Sequence, residues 1–577
     1  SRRQRQMCIR DRVLDHFNKT FDFAKSQMGS AQEIALRLTP LKDVYYTHDT
    51  TFDFNPKGHR ETNYVLLGIA FLILFIAGIN FTNLTTSLIP LRLKTINTHR
   101  VLGCSIYKLR AISLIESIVI CLISYILALF IVNDLSYTPI ANWVDADIRL
   151  SQYKGLILLT ALIAILTGCL AGLYPAIRSS SYAPALVLKG SFGLSPKGKK
   201  LRVALIGFQY TVSIALIIVT LFMGLQNHFM TSSEQLGFNK DQVAIVNLTP
   251  EIYAKHKPQY IQKLKDYPGI EDVAFSVYEL SKEDDMIDLE YARHEDKDVF
   301  FKVFYASENF LSVMDIQVEE GRDFTREDLN KAQSDYIINP AAERDFHLHP
   351  GDRFNDRTVL GVSKDFRFNS CRIASSPFVF ALNNDIPNPK LVSYIRFNSK
   401  TNLQEAVAHV RETLKEIDPT FPFEISFYNT ILNNLYQKEQ TLGKLISLFG
   451  IMAILISIVG VFGLVLFETQ YRRKEIGIRK INGATTGQIL LMFNKTYIRI
   501  VSVCFIISIP IAWMGTQQWL ENFAYKTPLH LWVFIVAFLI ILSVTIGTVT
   551  FRNWQAANEN PVNSVKSCLL YTSDAAD

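Results

Sequence analysis

The stretch that decides the fold is TNYVLLGIAFLILFIAGINFTNLTTSLIPL (62–91), which lies between Glu61 and Arg92 and carries no charge over 30 residues. An α-helix needs about 20 mostly apolar residues to cross a bilayer. Five more uncharged windows of 21 to 31 residues follow, and a seventh carries only Glu116: 155–177, 203–233, 445–467, 500–520, 527–551 and 111–133. The sequence therefore predicts seven membrane-spanning helices and excludes a soluble globular enzyme.

Net charge and cysteine content exclude two further classes of protein. The 577 residues hold 59 Lys and Arg against 53 Asp and Glu, a net charge of +6. A balance this mild does not indicate a nucleic-acid-binding protein, so no nucleic-acid partner is expected. Two of the seven cysteines lie in the end segments described next, and three more, Cys121, Cys169 and Cys504, fall in membrane spans. Cys104 lies in a basic loop and Cys371 is alone in the large soluble segment, so no disulfide framework is available.

The two ends of the chain differ from what they flank. Residues 1–12 and 568–577 resemble translated sequencing-adaptor scars, and we exclude both from the fold argument.

Basic residues in the loops predict the orientation. Loops 89–110 and 178–202 contain Lys and Arg but no acid, and loop 469–488 contains five basic residues against one acid. The positive-inside rule places these three loops in the cytoplasm. Residues 13–61 then lie outside, ahead of the first span, so we expect an N-terminal truncation that removed an eighth span. A seven-helix receptor with an external N-terminus is the alternative.

The segment 226–442 has an ordinary soluble composition. Strand-like runs at 243–248, 299–305 and 391–397 and a helix-like stretch at 403–417 predict an extracytoplasmic α+β domain. The acids at 283–285 are interpreted as a solvated loop. His347 and His349 are interpreted as a surface turn, because no third ligand accompanies them at useful spacing, and no metal site is predicted.

An internal repeat organises the membrane part. An offset of 380 aligns Arg100 with Lys480, Gly103 with Gly483 and Ser105 with Thr485. Both copies follow one apolar span and lead into another, so the chain contains two parallel copies of a three-span unit. The predicted organisation is a remnant of a first external domain (13–61), a three-span unit (62–190), a basic cytoplasmic loop (191–202), a span (203–225), the external domain (226–442) and a second three-span unit (443–567).

The second copy of the repeat contains RRKEIGIRKINGA (472–484), which resembles the signature of FtsX-like ABC transporter permeases of the MacB type. Further segments share the resemblance in the expected order: 79–84, 173–176, 187–190, 236–240, 321–324, 361–366 and 560–562. The combination most resembles the two-repeat permeases common in Bacteroidetes-type bacteria.

The resemblance implies a transport subunit in the bacterial inner membrane, with its large domain on the periplasmic side. ATP and magnesium would be bound by a separate cytoplasmic ATPase, and this chain would hold no cofactor and no catalytic residue. Implied partners are that ATPase, a second permease copy or a paired permease, membrane lipids, a periplasmic adaptor and an outer-membrane duct. The work done outside would be drug or peptide efflux or lipoprotein handling by mechanotransmission. Control of cell-wall hydrolases and, from another class, a membrane-anchored sensor are the alternatives.

The resemblance also implies which residues contact the ATPase. They are Lys474, Glu475, Ile476, Gly477, Ile478, Arg479, Lys480 and Gly483 in the second copy, and Lys94, Ile96, Arg100 and Gly103 in the first. From the residues alone, isoleucines among charged side chains predict a short amphipathic helix at the membrane face in each copy. The alternative is a basic loop that only fixes topology. The first copy has drifted in sequence, which leaves its contact with an ATPase open.

A phosphate-binding loop in this chain is not predicted. Residues 193–200 (GLSPKGKK) nearly match that motif, but Lys200 stands where a Ser or Thr hydroxyl must reach magnesium. The segment also lies between two membrane spans, with no buried strand before it. We therefore expect the ATPase to be a separate chain.

Overall fold

The computed structural model describes residues 12–13, 15–17, 19, 39–46, 60–138, 141, 149–181, 196–232, 236–281, 288–294, 297–331, 333–382 and 391–558. The predicted terminal scars lie almost entirely outside these ranges. So do most of 13–61, the acids at 283–285 and the motif-like segment 560–562.

Residue contacts divide the chain into two units, 1–71 and 72–577. In the first unit, Pro40 precedes a one-turn helix, α1 (Leu41–Val44). The Arg60 guanidinium pairs with the Asp43 carboxylate and lies 4.8 Å from the centroid of the Tyr46 ring.

Seven helices in the described residues are long and apolar enough to cross a membrane, which confirms the seven predicted spans. They are α2 (Arg60–Val101), α3 (Ile106–Leu135), α4 (Lys154–Ser180), α5 (Pro196–Thr231), α11 (Gln437–Tyr471), α13 (Thr486–Leu520) and α14 (Leu531–Asn558).

Small and polar side chains hold the membrane helices together. Helices α3 and α4 approach so closely that a Cβ atom on Gly172 would lie 2.5 Å from the Cβ atom of Ser117. The Thr82 hydroxyl on α2 donates to the Ala171 carbonyl on α4 at 2.8 Å, and the Asn80 amide donates to the Ile456 carbonyl on α11 at 2.6 Å. Close backbone approach and interhelical hydrogen bonds of this kind drive helix association in lipid. Helix α2 thereby joins the two three-span regions.

Helices α5, α11, α13 and α14 share one apolar core, which includes Tyr210, Phe222, Val465, Phe493 and Val533. The Ser213 and Ser457 hydroxyls hydrogen-bond across α5 and α11 at 2.9 Å inside it. The two helices that lead to the soluble domain are therefore packed as one pair.

The domain between α5 and α11 is built on a mixed sheet. Its strands are β1 (Val243–Leu248), β2 (Ile270–Ser276), β3 (Asp288–His294), β4 (Lys297–Ala306), β5 (Val318–Gly321), β6 (Tyr336–Ile338), β7 (Arg353–Phe354), β8 (Arg357–Ser363), β9 (Phe378–Leu382), β10 (Leu391–Phe397) and β11 (Ile425–Phe427). The main order is β11-β1-β10-β2-β4-β9-β6-β8-β5, with β3 on β4 and β7 on β8. Strands β4 and β9, and β6 and β8, are parallel. The three strand-like runs predicted from sequence are confirmed.

The described residues of this domain include five α-helices: α6 (Lys257–Lys265), α7 (Phe310–Met314), α8 (Pro340–Phe346), α9 (Leu403–Ile417) and α10 (Tyr428–Leu435). The predicted helix 403–417 is confirmed. Alternate side chains of β1 point to opposite faces of the sheet. Ala244 and Val246 contribute to the core with α6 and α9, whereas Val243 and Ile245 contribute to the core with α7 and α10. The fold class is thus a membrane α-helical protein with a large α+β domain, as predicted.

A buried carboxylate, that of Asp328, binds several side chains of the loop that follows β5. Asp328 is 3% exposed, and it accepts hydrogen bonds from both Arg322 Nη atoms at 2.7 and 2.8 Å and from the Thr325 hydroxyl at 2.8 Å. The Lys331 ammonium lies 2.9 Å away. The Arg322 guanidinium, helped by Lys331 and Thr325, holds the pKa of this carboxyl well below its usual range.

We expect Asp328→Asn to lower the free energy of unfolding of this domain by roughly 2–3 kcal/mol, because hydrogen bonds to a charged group are lost. Since the pKa is lowered in the folded state, the contribution is present above about pH 4 and is lost as the pH falls further. Thermal unfolding of the detergent-solubilised chain, followed by far-UV circular dichroism across pH, measures both effects. Asp266→Asn, at an exposed aspartate, is the control. Equal pH dependence of wild type and Asp328→Asn would contradict the assignment.

Candidate functional site

The second copy of the repeated loop forms a separate short helix, α12 (Arg473–Ile481). Ile476 is 3% exposed and belongs to the core of the membrane helices. Ile478 and Ile481 are 47% and 64% exposed. Arg479 pairs with Glu475 one turn earlier at 2.8 Å. The helix therefore packs through one side and presents exposed apolar and charged side chains on the other.

The residue between α11 and α12 anchors this helix. The Arg472 guanidinium pairs with Glu468 at 2.9 Å and lies 5.7 Å from the centroid of the Phe493 ring on α13. The Tyr497 hydroxyl, also on α13, donates to Glu468 at 3.2 Å. The adjacent Thr469 hydroxyl donates to the Asn553 side chain on α14 at 2.7 Å. The start of α12 is thus fixed to three membrane helices.

Both copies end in the same turn. Gly103 has φ +91° and Gly483 has φ +86°, in the left-handed region that favours glycine. The amide of each glycine donates to the carbonyl three residues back at 3.0 Å, and the next amide donates five residues back at 2.9 Å. This pair of bonds is the Schellman motif, which stops a helix at its C-terminus. The turn ends α2 in the first copy and α12 in the second.

The next helix also begins alike in both copies. The Ser105 hydroxyl accepts from the Lys108 amide at 3.3 Å, and the Thr485 hydroxyl accepts from the Gln488 amide at 3.3 Å. Both side chains are N-caps, which satisfy an otherwise unpaired amide of the first helical turn. The residues aligned by sequence therefore occupy equivalent structural positions.

The expectation of a separate short helix in each copy is wrong for the first copy. Lys94, Ile96 and Arg100 lie in the last turns of α2, which is unbroken to Val101. Contacts with neighbouring helices hold this end in line: Arg92 pairs with Glu116 on α3 at 2.8 Å, and Arg100 donates to the Ser180 carbonyl on α4 at 3.3 Å. Arg92 and Arg100 near the end of α2 therefore already make contacts within the chain.

An open cavity of about 790 Å³ adjoins this end of α2. Its lining includes Arg92, Ile96, His99, Gly103 and Lys108. Ile96 and Gly103 of the predicted coupling residues thus face a cavity, whereas Ile478 of the second copy is on an exposed helix surface.

A second polar site joins the sheet domain to the membrane helices. The Arg372 guanidinium in the segment after β8 donates to the Glu439 carboxylate near the start of α11 at 2.7 Å, and the two side chains are 29% and 9% exposed. The same guanidinium lies 4.6 Å from the centroid of the Phe523 ring, in the loop between α13 and α14. Arg372 therefore contacts both α11, which follows the domain in sequence, and the loop between α13 and α14.

The loop between α13 and α14 is held against the same segment of the sheet domain. The Tyr525 amide donates to the Cys371 carbonyl at 3.1 Å, and Arg367 lies 4.1 Å from the centroid of the Tyr525 ring. The Gln226 side chain on α5 donates to the Tyr525 carbonyl and accepts from the Thr527 amide, at 3.0 and 2.8 Å. The two helices that flank the domain in sequence, α5 and α11, and this loop thus meet the domain at one place, which we call the junction.

Burial keeps the thiol at the junction neutral. Cys371 is 1% exposed, and its sulfur lies 3.3 Å from the Tyr436 hydroxyl. Burial raises the pKa of Cys371 and the pKa of Tyr436, so neither ionises near neutral pH. The junction therefore has one buried ion pair beside a neutral hydrogen-bonded pair.

Sequence reasoning missed the junction. Arg372 and Glu439 are 67 positions apart, and neither lies in a motif. Glu439 lies in the segment 226–442 that the sequence predicts as external domain, before the uncharged window 445–467, so the sequence carries no signal for this pair.

We expect Arg372→Ala and Glu439→Gln each to lower the free energy of unfolding by about 3 kcal/mol, because each leaves the other charge without its partner in a largely buried place. The double variant is expected to cost less than the two single changes added together. Thermal unfolding of the chain in detergent measures all three. Glu251→Gln removes a pair with Lys255 that is 63% and 68% exposed, and it should cost about 0.5 kcal/mol or less. Additive effects of the two junction variants would contradict a direct interaction.

Both three-span regions of the chain resemble one protein family. The model for the FtsX-like permease C-terminal domain matches residues 67–184 and again residues 447–561. Each matched range covers most of one three-span unit and contains one of the two equivalent turns, at Gly103 and at Gly483.

Curated relatives and a solved structure also match. The macrolide export ATP-binding/permease protein MacB of Aggregatibacter actinomycetemcomitans is 25% identical over 212 residues, which are 34% of this chain and 32% of that protein. The MacB protein of Neisseria gonorrhoeae is 25% identical over 223 residues, 36% of this chain and 34% of that protein. The periplasmic region of MacB from Actinobacillus actinomycetemcomitans matches 34% of this chain and 94% of that structure, with 15% identity and a TM-score of 0.26.

The chain spans about a third of the length of the curated relatives it matches. The match to one family model at both copies of the repeat, together with these relatives, supports an FtsX-like permease of the MacB type.

Proposed function

We propose that this chain is the membrane subunit of an ABC transporter, and that it couples ATP hydrolysis by a separate cytoplasmic ATPase to work on the other side of the inner membrane. One observation carries the proposal. Helix α11 is continuous from Gln437 to Tyr471, with the junction at its first turn and the anchored helix α12 directly after its last. At 1.5 Å per residue, these 35 residues span about 50 Å, enough to cross a bilayer and its headgroups.

The second copy supplies the main contact with the ATPase in this proposal. Its helix α12 is a separate element with exposed Ile478 and Ile481 beside Arg479. An exposed amphipathic helix of this kind suits a groove on a partner. In the first copy, Arg92 and Arg100 already bond to neighbouring helices, so its contact is the weaker of the two.

The movement then follows the packed helices. A tilt imposed on α12 reaches α11 through Arg472 and Glu468, and α11 transmits it to the junction at Glu439 and Arg372. The ion pair and the loop between α13 and α14 carry the displacement into the sheet domain. Work is done there by mechanotransmission, and ATP and magnesium stay in the partner.

Efflux is the first activity to test, because the relatives are named as macrolide export proteins. The same mechanism would serve three other activities: peptide efflux, lipoprotein handling and control of cell-wall hydrolases. The proposed assembly pairs two permease copies with an ATPase dimer and places the sheet domain in the periplasm. There it would meet an adaptor and an outer-membrane duct.

We expect Arg479→Glu combined with Lys480→Glu to reduce permease-stimulated ATP hydrolysis about tenfold, the change that a loss of about 1.4 kcal/mol in binding free energy produces. The fold should persist, because the Arg479–Glu475 pair is exposed and contributes little. The measurement is the hydrolysis rate of the candidate ATPase with the permease in nanodiscs.

The matched control is Arg411→Glu combined with Lys415→Glu on α9, which makes the same charge change at exposed positions of the sheet domain. Its stimulation should equal that of wild type. Wild-type stimulation by the α12 variant would mean that the basic loop only fixes topology, and the proposed coupling would be wrong.

A further inference from the structure

Three metal-ligating side chains converge at one edge of the sheet domain, although they are far apart in sequence. Glu320, Glu343 and His349 each offer one ligand atom, and these atoms all lie within 4.8 Å of one another. His349 Nδ1 lies 3.6 Å from Glu343 Oε1. Among the described residues this is the one group of three or more such side chains that meets this distance.

Three backbone elements hold these side chains. Glu320 lies on β5, which pairs with β8 through Glu320 and Val362. Glu343 lies on α8, whose end is marked by His347 at φ +52°. His349 follows this turn, next to Leu348, which is 2% exposed. The buried leucine and the β-ladder fix the backbone beneath all three side chains.

Hydrogen bonds further restrain the turn that carries the histidine. The Leu348 amide donates to the Glu343 carbonyl at 3.2 Å. The His349 amide donates to the Asp352 carboxylate at 2.8 Å, and the Asp352 amide donates back to the His349 carbonyl at 3.0 Å. The imidazole and the Glu343 carboxylate are therefore presented together by one restrained segment.

The spacing fits a small divalent cation. Nitrogen and oxygen ligands bind Zn²⁺ at about 2.0–2.2 Å, so two ligand atoms of a tetrahedral shell lie about 3.4 Å apart. The 3.6 Å between His349 Nδ1 and Glu343 Oε1 is close to that value. Two carboxylates held near each other repel unless a positive charge lies between them. A cation bound among the three side chains would offset the repulsion between the Glu320 and Glu343 carboxylates.

We propose that Glu320, Glu343 and His349 form a Zn²⁺ site on the sheet domain, with water completing the shell on the exposed side. One imidazole and two carboxylates suit a borderline cation such as Zn²⁺, whereas Ca²⁺ takes six to eight oxygen ligands. The bound ion links β5 to the end of α8 and stabilises this edge of the sheet. The site does not depend on the proposed coupling to an ATPase.

An ion pair between protonated His349 and Glu343 is the competing explanation. It explains the approach of His349 to Glu343 and does not require the Glu320 carboxylate. A test that removes Glu320 separates the two explanations.

The full chain, purified without a polyhistidine tag and stripped of metal with a chelator, is titrated with Zn²⁺ against a competing dye. We expect one site that Glu320→Gln, Glu343→Gln and His349→Ala each weaken at least about tenfold, the loss that even outer-shell partners of metal ligands produce. Zn²⁺ should raise the thermal unfolding midpoint of the wild type and not that of these variants.

The matched control is His347→Ala, which removes the neighbouring imidazole that lies outside the group. Its Zn²⁺ affinity should equal that of wild type, and the metal-free unfolding midpoints of all variants should agree. Unchanged affinity in Glu320→Gln would leave only the ion pair, and equal loss in His347→Ala would indicate general surface binding. Displacement of Zn²⁺ by Ca²⁺ would contradict the assigned cation. Each of these three results overturns the site.

Discussion

The rest of the structure depends on helix α11, because it is bonded at both ends. Near its first turn, Glu439 pairs with Arg372 of the sheet domain, and near its last turn, Glu468 pairs with Arg472 at the start of α12. The helix between them is unbroken over 35 residues. One continuous helix thus connects the contacts with α12 to the contacts with the sheet domain.

The contacts at these ends are directional. Apolar side chains along α11 pack with α5, α13 and α14, but apolar burial alone does not fix which turn of a helix faces which neighbour. A hydrogen-bonded ion pair has one geometry, so Arg372 with Glu439 sets the height of the helix against the sheet domain. The Tyr497 bond to Glu468 does the same on the other side. Packing thus holds the bundle together, and the polar contacts specify its register.

The sequence predicts the elements of this structure better than their partners. Six uncharged windows and one that carries only Glu116 locate the seven spans, because a bilayer demands apolar length. Strand-like runs locate β1 and β10, and a helix-like stretch locates α9. The turn at Gly103 and Gly483 is visible as a repeat. The unbroken α2 is not, because the Arg92 and Arg100 contacts that hold it in line come from other helices. Likewise, the sequence does not predict that Glu320 lies near His349, because the folded sheet brings them together.

In the proposed mechanism, nucleotide binding in the cytoplasm moves the junction about 50 Å away. The most direct measurement is the rate of maleimide labelling of Cys371, which is buried beside Tyr436, in a variant with this residue as its sole cysteine. The complex with the ATPase in nanodiscs is compared without nucleotide and with ATP and vanadate. The account predicts that the labelling rate changes with nucleotide state. Equal rates in both states, while the ATPase hydrolyses ATP, would contradict it.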